Sequence, residues 1–154
     1  MRTQTSLREL RACDIMQSDV VLLPLDLPLP EAVRRLVQHR LTGAPVINHE
    51  GSLVGMLTSA DFLKCAPQSQ PHVASACVYS DWQVICPEDL PQDTVRDRMS
   101  KNPVTATPET PVLELARLMV DRRVHRVVII DGQRHPIGLV SSTDILAALA
   151  SWGE

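Results

Sequence analysis

Aromatic side chains are nearly absent from this chain: Phe, Trp and Tyr together make up 3% of its 154 residues, against a hydrophobic fraction of 44%. The core therefore has to be built from Val, Leu, Ile, Ala and Met. Trp82, Trp152, Tyr79 and Phe62 are too few and too scattered to form a stacking platform, so a bound base would have to lie between aliphatic side chains. This argues against a single-stranded nucleic-acid binder, which uses repeated aromatic platforms in a basic groove. A net charge of −3, with no basic tail, also removes bulk attraction to nucleic acid or acidic lipid.

Long apolar runs are missing as well. No window approaches the ~20 apolar residues of a membrane span, and the N-terminal MRTQTSLRELRACD lacks the apolar stretch of a signal peptide, so a cytoplasmic location with no membrane association is expected. Cys13, Cys65, Cys77 and Cys86 form no CxxC pair, which leaves neither a zinc site nor a thioredoxin-like motif and predicts reduced thiols. Cys77 and Cys86 sit in the most loop-like part of the chain and are the candidates for a redox-sensing thiol. No nucleophile-base pair, metal cluster or GxxxxGK[ST] run is present, so no enzyme, catalytic residue or catalytic cofactor is expected.

What the chain does contain is a repeat. The stretch Pro136–Ala148, PIGLVSSTDILAA, reads as a buried strand running into a helix N-terminus. Ser141 and Asp144 have the spacing of a capping box, in which the hydroxyl and the acid each satisfy a free N–H of the first turn. The same junction offers N–H groups, a helix dipole and hydroxyls suited to an anion such as phosphate. Thr58-Ser59-Ala60-Asp61 repeats it. Gly55 and Gly138 differ by 138 − 55 = 83, and the same offset pairs Asp14 with Asp97, Met16 with Met99, Val21 with Val104, Pro28 with Pro111, Leu36 with Met119, Val46 with Ile129 and Asp61 with Asp144. No insertion is needed between Asp14 and Asp61, so the chain is two copies of one β-α-β-β-α unit.

The local patterns place the elements. A short helix is predicted over Leu7–Met16 and a strand over Val20–Leu23. Pro28 and Pro30 open a helix carrying Ala32, Val33, Leu36, Val37 and Leu41 on one face, ended by Thr42-Gly43. Strands are predicted over 44–48 and 53–57, joined by a hairpin turn at His49–Ser52. In the second copy Thr110 is the expected N-cap with Pro111 at N1, followed by the stripe Val112, Leu115, Ala116 and Met119, then strands over 127–130 and 137–140. The prediction is an α+β chain with one repeat over 7–65, a proline-containing linker over 66–93 and a second repeat over 94–151.

The repeated series of DxM, PVT, ELARLM, VHRVVIID and PIGLVSSTDIL resembles the CBS domain, the motif named after cystathionine β-synthase, and two in tandem resemble a Bateman module. The match is densest over Val124–Leu146; in the first copy GAPVIN and GMLTSADFL carry it. The resemblance implies two pseudo-symmetric repeats of an α/β-type CBS fold that bind an adenosyl compound (AMP, ADP, ATP or S-adenosylmethionine) in clefts between them. Asp144 matches the ribose-binding aspartate, and Ser141 and Thr143 match positions facing phosphate. Thr105 matches a position near the adenosine, while His125 and Arg126, which lead into Val127, resemble a phosphate-holding His-Arg pair.

The first copy keeps Thr58 and Asp61 but has Thr42 and Gly43 where the second has His125 and Arg126, so a ribose could be held there without its phosphate partner. The expectation is a regulatory sensor that binds an adenine nucleotide, forms a homodimer and, with no effector domain in this chain, acts on an unknown protein partner in trans. The competing expectations are a ligand-free interaction scaffold, whose junctions serve as caps only, and a module for S-adenosylmethionine or NAD.

Overall fold

Proline sets the start of the first long helix of each repeat. In the computed structural model, which describes residues 6–63, 78–80, 83–85, 90 and 92–152, Pro28 and Pro111 hold extended backbone (ψ 140° and 142°) and each is followed directly by a helix. Most of the expected linker, with Cys77, Trp82 and Cys86, lies outside the described residues, as does Cys65 at the end of the first expected repeat. The elements run α1 (Ala12–Ile15), β1 (Leu23–Pro24), α2 (Leu29–Gln38), β2 (Gly43–Ile47), β3 (Leu53–Thr58) and α3 (Ser59–Leu63). They continue with the hairpin β4 (Val78–Ser80) and β5 (Gln83–Ile85), then α4 (Val95–Arg98), β6 (Ser100–Lys101), β7 (Thr105–Ala106), α5 (Val112–Arg122), β8 (Arg126–Ile130), β9 (Pro136–Ser141) and α6 (Ser142–Ser151). The unit β-α-β-β-α thus occurs twice, as β1 to α3 and as β7 to α6.

Helical spacing places the core. Leu29, Ala32, Val33 and Leu36 of α2 are buried at i, i+3, i+4 and i+7, and α5 buries Val112, Leu115 and Met119. α2 packs on Ala44, Val46 and Leu57 of β2 and β3, and α5 packs with Val127, Ile129 and Val140 of β8 and β9 and with Ile145 of α6. Each core is aliphatic. Among the described residues no helix is long and apolar enough to cross a membrane.

Several boundaries differ from the sequence pattern, each for a local reason. The expected Leu7–Met16 helix contracts to α1, because Ser6 and Glu9 close a separate turn (Glu9 N–H to Ser6 C=O, 2.7 Å) and Arg11 is extended. The Val20–Leu23 strand moves to Leu23–Pro24, since the Val20 N–H turns back to the Ser18 carbonyl. Gly43 does not end α2: the helix stops at Gln38, Arg40 adopts the left-handed conformation (φ 55°), and Gly43 begins β2. A Cβ on Gly43 would lie 2.8 Å from the Leu57 carbonyl oxygen, so strand approach explains that glycine. Pro111, with its extended backbone, takes the N-cap place expected of Thr110, whose hydroxyl instead accepts the Thr107 N–H at 3.1 Å.

In space the repeats exchange their leading segments. One compact unit combines the chain up to Val20 with the chain from Pro103, and the other is Val21–Asn102. In the first of these, Arg11 bridges Pro111, the Ala12 N–H donates to the Thr110 carbonyl at 2.8 Å, and Gln17 pairs with Leu139 alongside β9. In the second, Thr94 bridges Pro28, the Val95 N–H donates to the Leu27 carbonyl at 2.9 Å, and β6 pairs with β3. Met16 lies against Gly138 and Met99 against Gly55, so the side chain of each exchanged segment fills the space over a glycine of the sheet it joins.

Candidate functional site

Strand alternation divides the β7-β8-β9 sheet into two faces. Val127, Ile129 and Val140 point into the core with α5, so Arg126, Val128, Leu139 and Ser141 take the other face. Cross-strand partners share a face, and the register pairs Thr105 with Val128, Val128 with Leu139, and Arg126 with Ser141. Gln17 extends the row beyond Leu139, bound by two backbone bonds of 2.9 and 3.0 Å. One sheet face therefore carries Thr105 at one edge, Gln17 at the other, the fully buried Val128 and half-buried Leu139 between them, and Arg126 and Ser141 at the end where β9 enters α6.

At that end the capping box predicted from the sequence is formed in full. Asp144 Oδ2 accepts the Ser141 N–H at 2.7 Å and the Ser141 hydroxyl at 2.8 Å, while the Asp144 N–H donates to Ser141 Oγ at 3.2 Å. Asp144 Oδ1 accepts from Gln17 Nε2 at 3.1 Å. The Ser142 N–H donates to the His125 carbonyl at 2.9 Å, which ties the start of α6 to the residue before β8. Arg126 is half-buried, and burial pulls its pKa below the ordinary guanidinium value. It still carries its charge at neutral pH, since a guanidinium is not deprotonated in proteins under such conditions.

Of the second-repeat candidates, the register brings Thr105, Arg126 and Ser141, with Asp144 bonded to Ser141, to one sheet face and leaves Val127 on the other. Val127 is fully buried, so only its backbone is left for a ligand. Thr143 is exposed in the first turn of α6, and His125 is exposed beside Arg126. In the first-repeat unit, Thr58 and Asp61 form the equivalent cap, with the Thr58 N–H donating to Asp61 Oδ2 at 2.9 Å and its hydroxyl at 3.3 Å. Asp61 is only 5% exposed, and its Oδ1 accepts from Ser100 Oγ at 3.3 Å. Gly43 stands across from Thr58 as Arg126 stands across from Ser141. Leu22 replaces Thr105 by the same offset, 105 − 22 = 83, so at the equivalent positions this unit keeps the carboxylate but has Gly43 for the arginine and Leu22 for the threonine.

Gln17 is the functional candidate that sequence reading passed over. Its signal was the repeat itself: 17 + 83 = 100, and position 17 and position 100 both carry a polar side chain that donates to the junction aspartate. Only the exchange of leading segments brings either donor to its acceptor.

Comparison with known proteins agrees with this architecture. The CBS domain family profile matches twice, over residues 12–67 and 95–151. An uncharacterised protein of Methanocaldococcus jannaschii, MJ1426, is 26% identical over 88% of this chain and 89% of its own length. The gamma-3 subunit of the pig (Sus scrofa) 5'-AMP-activated protein kinase is 29% identical over 79% of this chain and 22% of the subunit. The chain likewise spans 22% of a homoserine O-acetyltransferase from Methanohalobium evestigatum that is 28% identical to it. Among solved structures, the CBS domain pair of MJ0100 in complex with 5'-methylthioadenosine and S-adenosyl-L-methionine aligns with a TM-score of 0.71 at 23% identity, covering 92% of this chain and 97% of that one. CBSX2 in complex with AMP aligns at 0.72 and 18% identity, covering 94% and 98%. The CBS domain of a bacterial CNNM/CorC family Mg2+ transporter in complex with ATP aligns at 0.71 and 21%, covering 94% and 89%. With two profile matches along the chain and two β-α-β-β-α units in space, this protein belongs to the CBS domain family as a tandem pair.

Proposed function

We propose that the chain is a regulatory sensor, and that its second-repeat unit binds an adenine nucleotide on the sheet face bounded by Thr105, Arg126, Ser141 and Asp144. The observation that carries the reading is the pairing of Arg126 with Ser141 across β8 and β9. It sets a half-buried cation beside a helix N-terminus, and both favour a phosphate. The half-buried Leu139 offers an aliphatic contact for an adenine ring in a chain that has almost no aromatic residues, whereas the neighbouring Val128 is fully buried, and Asp144 supplies acceptors for ribose hydroxyls.

The related structures support the ligand class through what their ligands share. Methylthioadenosine, S-adenosylmethionine, AMP and ATP have adenosine in common, whereas only the last two carry phosphate. Asp144 is assigned to the shared part and Arg126 to the variable part. Regulation of a protein partner in trans, rather than catalysis, is the role that follows. In the first-repeat unit the burial of Asp61, and Gly43 in the place that Arg126 takes in the second repeat, favour a second reading, that of a structural cap without a nucleotide.

A thermal-shift panel of AMP, ADP, ATP, S-adenosylmethionine and NAD tests the proposal. A ligand at about 100 times its Kd adds about 2.7 kcal/mol to stability, a shift well within detection. No shift with any of the five would reject the nucleotide reading and leave the interaction scaffold in its place.

A further inference from the structure

The junction aspartate is already occupied by the protein. Each carboxylate oxygen accepts about two hydrogen bonds. Oδ2 of Asp144 receives both of its bonds from Ser141, and Oδ1 receives one from Gln17, leaving a single open acceptor position. A ribose cis-diol brings two O–H donors. Resting on the nucleotide reading above, we propose that Gln17 is a built-in competitor for Asp144: its side-chain amide holds Oδ1 until a ribose hydroxyl displaces it, and so lowers the affinity of the site for ribose ligands.

Gln17 is the partner that yields. A carboxylate only accepts, so the amide must present its NH2 group to Oδ1, and at 3.1 Å this bond is longer than the two from Ser141 at 2.7 and 2.8 Å. The Gln17 side chain is exposed, so its freed amide passes to water at little cost. Its backbone stays bound to Leu139 throughout, which confines the change to a rotamer. The first-repeat unit repeats the device in a fixed form, where Ser100, with a short side chain, donates to the buried Asp61. The donor at this position of the repeat is thus a general feature and is exposed in both units, but only Gln17 has a long side chain on an acceptor that is not buried, and so only it is releasable.

The test measures AMP and 2'-deoxy-AMP by calorimetry on the full chain, Gln17→Ala, Asp144→Ala and the double variant. Gln17→Ala is expected to tighten AMP about three- to tenfold, the effect of one exposed hydrogen bond to a charged group. The deoxy ligand, which can use the acceptor position already open, changes by less than about twofold, so the preference for AMP widens. In the Asp144→Ala background the Gln17→Ala change has no effect, as a pairwise coupling requires. AMP affinity that is unchanged or weaker in Gln17→Ala, or equal tightening of both ligands, overturns the competitor role. AMP binding unaffected by Asp144→Ala, or no binding by any chain, overturns the site assignment itself and this proposal with it.

Discussion

Arg126 and Ser141 are partners across the β8–β9 ladder, so the half-buried cation of the second-repeat unit and the cap of its last helix share one end of one sheet face. If the cation contacts phosphate, then Arg126→Ala lowers AMP and ATP affinity about ten- to a hundredfold, as expected for a lost charge-assisted contact. Adenosine affinity changes by less than about threefold, because the nucleoside has no group for the arginine. Calorimetry with the three ligands separates the cases, and an equal loss for adenosine would assign Arg126 a packing role. The guanidinium keeps its charge between pH 6 and 9 despite the burial-lowered pKa, so a pH dependence of this contact in that range comes from the ligand's phosphate, whose second pKa is about 6.

Asp144→Ala has two separable effects. It removes the acceptor proposed for ribose, which predicts a loss of about ten- to a hundredfold in affinity for AMP or ATP. It also opens the capping box of α6, which costs about 1 kcal/mol of stability. A folded variant with unchanged nucleotide affinity would leave Asp144 a cap and nothing more. Circular dichroism and chemical unfolding establish that the variant is folded.

The offset of 83 made the repeat legible because hydrophobic period, proline and the Thr58 and Ser141 junctions all recur without a gap. The junction chemistry was legible too, since a capping box is local and its hydrogen bonds span three residues. The exchange of leading segments was not, because α1 and α4 carry the same pattern and either would satisfy the same surface by sequence alone. What distinguishes the partners is which of Pro28 and Pro111 each segment bridges, a tertiary pairing with no local signal. Gln17 went unseen for that reason: its acceptor lies 127 residues away. The stop of α2 was misplaced because Arg40, not the nearby Gly43, takes the left-handed turn.

Arg40 and Arg123 hold that conformation at equivalent positions, 123 − 40 = 83, with φ of 55° and 52°. In each case the following N–H reaches back to the helix, from Leu41 to the Leu36 carbonyl at 2.8 Å and from Val124 to the Met119 carbonyl at 3.0 Å. A non-glycine residue there carries a steric cost of roughly 1 kcal/mol. Arg123→Gly is therefore expected to raise stability by about 0.5 to 1 kcal/mol in urea unfolding, whereas a loss would show that the Arg123 side chain contributes more than the strain it causes.

Acid should act on the β8–β9 turn. The backbone N–H of His135, then that of Gln133, hold the Asp131 carboxyl below its ordinary value, with a smaller contribution from the His135 charge. The two backbone bonds measure 2.9 and 2.8 Å. A carboxyl whose folded pKa is depressed contributes stability above its unfolded value of about 3.9, and that contribution is lost as pH falls through the folded value. An NMR titration should place the Asp131 midpoint below about 3.9 and show the amide shifts of Gln133 and His135 following it. A midpoint at or above that value would mean the turn does not favour the ionised form.

The α5 and α6 helices leave apolar side chains exposed: Val120 at 76%, Leu146 at 62% and Trp152 at 53% of full accessibility, with Leu149 and Leu113 less so. Leu146, Leu149 and Trp152 recur every three residues along the end of α6, which makes a stripe rather than scattered positions. A second copy of the chain is the expected partner for this surface, because a self-complementary contact buries the same residues on both sides and closes the assembly at two. Light scattering at micromolar concentration should then give the mass of a dimer. Leu146→Lys, which puts two charges into a shared apolar contact, should return it to a monomer without loss of helical signal. A monomer mass for the unaltered chain would refute the dimer, and a dimer that survives Leu146→Lys would place its interface elsewhere.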